Sequence, residues 1–488
     1  MISVSSSKQF PTTEACVAEN GMRFQFVPFW FLLAGALLSL CACRRAPEEN
    51  RAKNTVTNTD ASPVSNIEPN TSSNSISLPL ERRSALNEEV TVSEADWPYW
   101  RGPTGNNIAL PGQNLPEILA PHQNVLWKTR LPGLGRSSPI VIGNHLYLTT
   151  ADPEKESQSV LCLDRHNGNL IWKTEVNQGG FPRRLPDTHA SLTLACNGEA
   201  LFALFENHER LQLVSLDLQG RILRQITASP FPSERLKPEI GPSPLLYQSF
   251  IIVAAEFEDG KIQAFDQDTL SPVWIIPRKS ISYSSPIVAY LANRDQLLIP
   301  GNKRITSYDP QTGEELWNAP GGTASARGTV AWEGDILFTS GASPDSQTVA
   351  IRATENGYEE LWTNNERFTT QSLLACNGHV YGINDTGVAF CWRADDGKEM
   401  WSAPLCGPVS ASPILADGII YQIDQQGKLV AFRDHPELFE KRFEVPLGTS
   451  AFATPTICHG RLFCRVIEQT VNGPIDTLYC FGLPDDGS

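Results

Sequence analysis

The sequence predicts an all-β protein: an eight-bladed β-propeller of four-stranded antiparallel blades, closed by an N-terminal outer strand. Three observations carry that prediction. A turn recurs with fixed spacing. In Asp309-Pro310-Gln311-Thr312-Gly313-Glu314-Glu315-Leu316-Trp317, Asp stands eight positions and Gly four before Trp, and Asp164, Gly168 and Trp172 repeat the spacing. Asp266 to Trp274 keeps the Asp and the Trp, and Arg393 to Trp401 keeps the Gly and the Trp. Sets of short alternating strands begin near 137, 190, 243, 285, 329, 372, 411 and 453, which is eight sets. Finally, 125–129 reads as an outer strand with no inner strands before it, and 454–482 as inner strands with no outer strand after them. Joining the two closes the ring and removes unpaired sheet edges.

Each part of the repeat has a physical reason. Asp309 can accept backbone N–H groups ahead of it, Pro310 presets φ, and Gly313 tolerates a left-handed backbone. The Trp offers a large apolar face to a neighbouring unit. Spacings of 43 (Trp274 to Trp317), 45 (to Trp362) and 39 (to Trp401) suit four strands per unit. Trp127, Trp172, Trp274, Trp317, Trp362 and Trp401 are therefore the expected docking residues. The gap of 102 between Trp172 and Trp274 leaves room for a missing anchor near Gln225. Most units open on Ser/Thr-Pro, as at Ser138-Pro139, Ser243-Pro244, Ser285-Pro286 and Ser412-Pro413. Weaker copies begin near Ala190, Thr329, Gln371 and Thr454.

Ahead of the ring, residues 1–43 read as a signal of lipoprotein type. Met22-Arg23, a possible true start, precedes the apolar run 29–38, too short to span a bilayer as a helix. The run ends in Leu40-Cys41-Ala42-Cys43, similar to a lipobox. Cys43 is the better lipidation site, because bulky Leu40 precedes Cys41. An uncleaved anchor or an ordinary signal is the alternative. Residues 44–95 are polar, nearly free of aromatics, and expected to be a disordered tether. Residues 96–124 hold Trp97-Pro98-Tyr99-Trp100-Arg101, whose aromatics should dock on the domain at 125–482, with Arg101 as a lesser ligand candidate. Residues 483–488 are a tail. Export to the periplasm or envelope, held by a lipid anchor, and a monomeric state are the corresponding expectations.

A net charge of −15 argues against nucleic-acid binding by bulk electrostatics. The loops leading into the inner strands run the other way. They hold Arg136, Arg183, Arg184, Arg235, Lys237, Arg278, Lys279, Arg327 and Arg367 against Asp187, Glu234, Glu239 and Glu366. A propeller gathers these loops at one mouth, so we expect a positive funnel, with His189 beside it, for an acidic peptide, glycan or lipid headgroup. Solvated loop arginines are the competing reading.

The motif small-x-Asp-x-x-x-Gly-x-x-x-Trp resembles the repeat of pyrroloquinoline-quinone-like (quinoprotein alcohol dehydrogenase-like) propellers over about 125–482. With the signal, Cys43 and the tether, the chain is more similar to the barrel-assembly propeller lipoprotein of that family than to its quinone-dependent dehydrogenases. The resemblance implies a non-enzymatic scaffold that binds envelope proteins or peptides through loops and blade edges. The alternative it implies is a redox enzyme with quinone (PQQ) and calcium at the axis. Against that alternative, the eleven cysteines include no adjacent pair, and no acidic cluster has calcium-loop spacing. Catalytic, cofactor and metal residues are accordingly not assigned. Cys162, Cys391 and Cys480 fall in the repeat's small-residue slot and read as buried. Whether Cys458 and Cys464 are bridged is left to geometry.

Overall fold

The structure, a computed structural model, describes residues 92–120, 122–180, 188–231, 241–256 and 260–484. The signal, Cys43, Met22 and nearly all of the tether lie outside the described residues, as does most of the short tail. Eight four-stranded antiparallel sheets form the propeller, with a short parallel pair, Ile281–Ser282 with Ser325–Ala326, beside blades 4 and 5. Blade 1 is Ile140–Ile142, His145–Asp152, Ser157–Asp164 and Leu170–Gln178, from inner to outer strand. Six further blades repeat it, with outer strands Ile222–Pro230, Pro272–Pro277, Glu315–Pro320, Gly357–Asn364, Glu399–Pro404 and Lys441–Pro446. Blade 8 takes three strands from the end of the sequence, and its outer strand is Val125–Arg130, paired with Gly473–Gly482. The ring closes as the sequence predicted.

Around the axis the leading hydroxyls form a belt. The N–H of Ser138 donates to Thr193 Oγ1 (3.0 Å), that of Thr193 to Ser243 Oγ (3.1 Å), and that of Ser243 to Ser285 Oγ (3.0 Å). Farther round, Thr329 donates to Ser372 Oγ, Ser372 to Ser412 Oγ, and Ser412 to Thr454 Oγ1, at 2.9–3.0 Å. The hydroxyl of Thr456 ties blade 8 to blade 1 by donating to the Pro139 carbonyl at 2.7 Å. This belt explains the Ser/Thr-Pro dipeptides. The hydroxyl satisfies a buried N–H of the preceding blade, and the proline adds no donor that would need a partner of its own.

The tryptophans clasp the blades from the outside. Each of the six Trp-bearing outer strands has a register shift beside its Trp, and the extra residue re-aims the side chain toward the next blade. The indole N–H of Trp127 donates to the Arg165 carbonyl, Trp172 to Leu218, Trp274 to Pro310, Trp362 to Ala394 and Trp401 to His435 (2.9–3.2 Å). Every acceptor lies in the turn before the next blade's outer strand. The repeat's glycine is needed because a Cβ at Gly168 or Gly397 would come within 2.5 Å of the Trp127 or Trp362 ring. Opposite each Trp stands a small residue, Cys162, Ala264, Ser307, Ala350, Cys391 or Cys480. The eight described cysteines are free, Cys458 and Cys464 among them, and burial pushes those two thiols up.

Two of the clasps differ in chemistry. Trp317 packs on blade 5 as expected, buried with its ring centroid 5.8 Å from that of Tyr358, but its indole N–H turns back to Gln296 Oε1 of its own blade at 2.8 Å. Blade 5 has a tight Glu355-Asn356 hairpin, with Thr354 paired to Gly357, in place of the Asp-to-Gly turn that receives other indoles. The missing anchor is one position from Gln225. Arg224 faces Ser215 in the Trp slot, and its Nε donates to the Asp268 carbonyl at 2.6 Å, so a guanidinium replaces the indole. Trp362→Phe, which keeps the packing and deletes one clasp, is expected to cost about 1 kcal/mol in urea unfolding.

Candidate functional site

The loops that lead into the inner strands surround an axial well of about 480 Å³, to which all eight blades contribute. Its wall is mostly hydroxyls of the belt, including Ser138, Thr193, Ser243, Ser285, Thr329 and Thr454. Its floor comes from the N-terminal arm. Trp97 pairs with Val141, the Pro98 carbonyl accepts from Cys196 N–H, and Ile108 pairs with Leu415, so the arm crosses the face made by the inner hairpin turns. Trp100 rises into the axis from that face, and its indole N–H donates to Thr329 Oγ1 at 3.1 Å. The arm is thus both dock and plug.

Arg101 serves the plug. It is buried, its Nε donates to the Gly105 carbonyl at 2.8 Å, and one Nη to the Leu373 carbonyl at 3.3 Å. Burial holds its guanidinium down to about 9. The predicted packing role of the arm therefore describes Arg101 better than a ligand role.

Of the predicted funnel residues, two line the well. The Arg136 guanidinium lies over the Phe452 ring, 4.1 Å from its centroid, and that of Arg327 over the Tyr283 ring at 5.2 Å. Phe452 and Arg136 lead into blades 8 and 1, and Tyr283 and Arg327 into blades 4 and 5. These junctions stand four blades apart in a ring of eight, so the two cation–aromatic pairs face each other across the axis. Among the described residues the lining contains no Asp or Glu.

The remaining funnel residues are placed differently. Arg278 is corrected outright: it is buried and ion-paired to Glu256, with Nε and Oε1 2.6 Å apart, because a carboxylate at the end of a neighbouring strand draws it inward. Arg367 is exposed and bonded to Asp385 at 2.9 Å. His189 is half-buried with positive φ, and its carbonyl accepts from Gln158 Nε2 at 2.8 Å. Arg183, Arg184 and Arg235 lie outside the described residues. Sequence reasoning missed Tyr283 and Phe452, although both sit in the loops it had singled out.

The described lining does not fit a calcium-held quinone. Calcium takes six to eight oxygens, with carboxylates prominent among them, whereas this wall offers hydroxyls and two guanidiniums. Among the described residues no group of three or more His, Cys, Asp or Glu is placed to hold a metal ion.

A second surface lies on the rim. At matching heights on three consecutive outer strands, Leu170 and Ile171, Ile222 and Leu223, and Val273 are each 41–54% exposed, with Ile275 beside them. At the same heights blades 4 to 7 carry Glu315, Glu360, Glu399, Lys441 and Arg442, and blade 8 carries half-buried Val125 and Leu126. The outer strands of blades 1 and 2 run nine residues each and form free sheet edges. Blade 3 is bracketed by Pro272 and Pro277, which blunt its edge.

A family profile described as outer membrane protein assembly factor BamB matches residues 112–237, 157–403 and 345–436, more than half of the chain. The chain belongs to that BamB family. No curated protein matches the sequence. Among solved structures, quinohemoprotein alcohol dehydrogenase from Comamonas testosteroni is 13% identical with a TM-score of 0.56, covering 84% of each chain. A europium-containing methanol dehydrogenase is 11% identical with a TM-score of 0.50, covering 80% of this chain and 98% of that one. BamB from Moraxella catarrhalis is 14% identical with a TM-score of 0.49, covering 72% and 98%. At these identities a likeness concerns the fold, and propellers of this kind carry unrelated activities. The family, the closed ring and the Trp clasps agree with the repeat resemblance read from the sequence.

Proposed function

We propose that this BamB-family protein is a non-enzymatic scaffold of envelope assembly, exported and held to a membrane through a lipid on Cys43. It holds an extended segment of a partner protein along the outer edges of blades 1 and 2. The observation that carries this reading is the asymmetric rim. Three adjacent blades present exposed apolar residues at matched positions, where blades 4 to 7 carry Glu315, Glu360, Glu399 and Lys441 and blade 8 carries half-buried Val125 and Leu126. Contiguous exposed apolar surface marks an interaction site. A free nine-residue edge offers backbone N–H and C=O groups to an added strand, while Leu170, Ile171, Ile222 and Leu223 supply the apolar contact that favours alternating side chains. The family description, an outer-membrane assembly factor, supports the same reading.

The test is site-specific. A photo-crosslinking residue at Ile171 or Leu223 in cells is expected to trap one discrete envelope protein, whereas the same residue at Glu315 or Glu399 is not. Leu223→Lys is expected to abolish trapping from position 171. Equal trapping at both sets of positions would sink the rim. Cys43→Ser is expected to release the protein from membranes. Dye-linked alcohol oxidation by the purified protein, once quinone and calcium are supplied, would reject the non-enzymatic reading.

A further inference from the structure

A second recess opens on the face that the N-terminal arm crosses, between the arm and the inner hairpin turns of blades 4 to 7. We propose that it binds an organic cation, an ammonium or guanidinium group carried on an alkyl stem. This site stands apart from the rim, and the scaffold reading does not enter. Three carboxylates line the recess, Glu333, Asp417 and Asp434, together with two aromatic residues, Tyr290 and Trp332. Neutral donors hold the carboxylates in place. Gly378 N–H donates to Glu333 Oε2, Gly112 N–H to Asp417 Oδ1 and Asn114 N–H to Asp417 Oδ2, each at 2.8 Å. Asn377 Nδ2 donates to Asp434 Oδ2 at 3.4 Å, and burial pushes the Asp434 carboxyl up. Cations that flank these turns in sequence are committed elsewhere, Arg433 to Glu440 and Arg393 to Asp395 and Asp396. Arg294, in the Tyr290 hairpin, is exposed and no part of the lining. A recess of one sign, walled by protein, draws in the opposite charge.

The aromatic residues decide the kind of cation. A metal ion needs its ligands gathered around one point, and among the described residues no three His, Cys, Asp or Glu are so placed. An organic cation turns its charge to the carboxylates and rests its CH groups on the rings. Trp332 is fixed for that role by the arm. Asn106 bonds its backbone N–H and carbonyl at 3.2 and 2.7 Å, and a Cβ at Gly105 would come 2.8 Å from its ring. Tyr290 is 66% exposed, so its ring is open to an occupant. Ile108 and Leu415 add apolar wall for the stem, and about 580 Å³ is room for a small molecule.

Calorimetric titration of the purified protein with butanol, butylammonium, spermidine and a capped tripeptide with one central lysine tests the proposal. Butylammonium is expected to bind about tenfold above butanol, and spermidine about tenfold above butylammonium, since a charge-assisted pair contributes on the order of one power of ten. Glu333→Gln and Asp434→Asn keep an oxygen for the donor each now holds and remove the charge alone. Each should weaken spermidine about fivefold or more, and Tyr290→Ser about threefold or more, while Glu360→Gln on the rim leaves it unchanged. Thermal melts of the variants report whether the ring is intact. In the wild-type protein, raised salt should weaken spermidine more steeply than butylammonium. A tripeptide that binds above butylammonium assigns the cation to a side chain of a partner protein, and one that does not assigns it to a free amine; both uphold the site. Equal binding of butanol and butylammonium, spermidine binding that survives all three substitutions in the recess, or an equal loss from Glu360→Gln overturns the proposal.

Discussion

Arg465→Met is expected to destabilise the protein by about 3–5 kcal/mol, because it strands a buried carboxylate. Both side chains of the pair are at most 1% exposed. Arg465 Nη2 reaches Asp476 Oδ2 at 2.7 Å, and Nε donates to both carboxylate oxygens at 3.0–3.2 Å. The other Nη donates to the Ser137 carbonyl and hydroxyl, and the N–H of Gly135 donates to Asp476 Oδ2 at 2.9 Å. Three polar groups of the loop before blade 1 thus converge on a pair held in the last hairpin of blade 8. Burial pushes the Asp476 carboxyl up, and Arg465 opposes it. Without Arg465, Asp476 should stay protonated to higher pH, so the deficit measured in urea at pH 8 should shrink toward pH 5. The double variant Arg465→Met, Asp476→Leu should recover most of the loss. A single variant within about 1 kcal/mol of wild type would show that the pair does not hold the closing junction.

Glu256 is expected to make the protein less stable as pH rises from about 4.5 to 7. Burial is the main cause that pushes its carboxyl up from 4.5 to about 7, against the opposing pull of Arg278 and a Ser282 hydrogen bond. Below 4.5 the group is protonated in both folded and unfolded chains and contributes nothing. Between the two values the folded protein keeps a proton that the unfolded chain has released, so stability declines with pH. Above 7 both are ionised and the full cost, on the order of 3 kcal/mol, is present. Glu256→Gln should remove this slope. The measurement is the difference between wild-type and variant urea stabilities at pH 4.5 and pH 8. A difference that stays constant across that range rules out the assignment.

Arg136 and Arg327 each stand two positions before a belt hydroxyl, Ser138 and Thr329, whereas Arg278 directly follows the outer strand Pro272–Pro277, seven positions before Ser285. Their partners are long-range neighbours that the local sequence does not name: Glu256 for Arg278, Phe452 for Arg136 and Tyr283 for Arg327. The ring itself was legible because its clasp is written locally. Asp164 caps the N–H groups of His166 and Asn167, Asp309 those of Gln311 and Thr312, and the glycine makes room for an indole. That code fails where the chemistry is replaced. Arg224 does the work of an indole without resembling one, and Trp317 loses its acceptor because the next blade's turn is too short. The apolar rim was present in the letters, but only the outward direction of Ile171, Leu223 and Val273 separates it from core.

The pairing of Val125–Arg130 with Gly473–Gly482 has a consequence for biogenesis. On the ribosome, the strand bearing Trp127 is made seven blades ahead of the hairpin that will receive it. Throughout that interval a growing arc has two raw ends, and one of them bears an indole that cannot yet be sheltered by its final hairpin. Non-local pairing of this kind is slow and prone to misassembly. A nascent or translocating chain of this protein is therefore a natural client for a holding chaperone until its final hairpin is delivered.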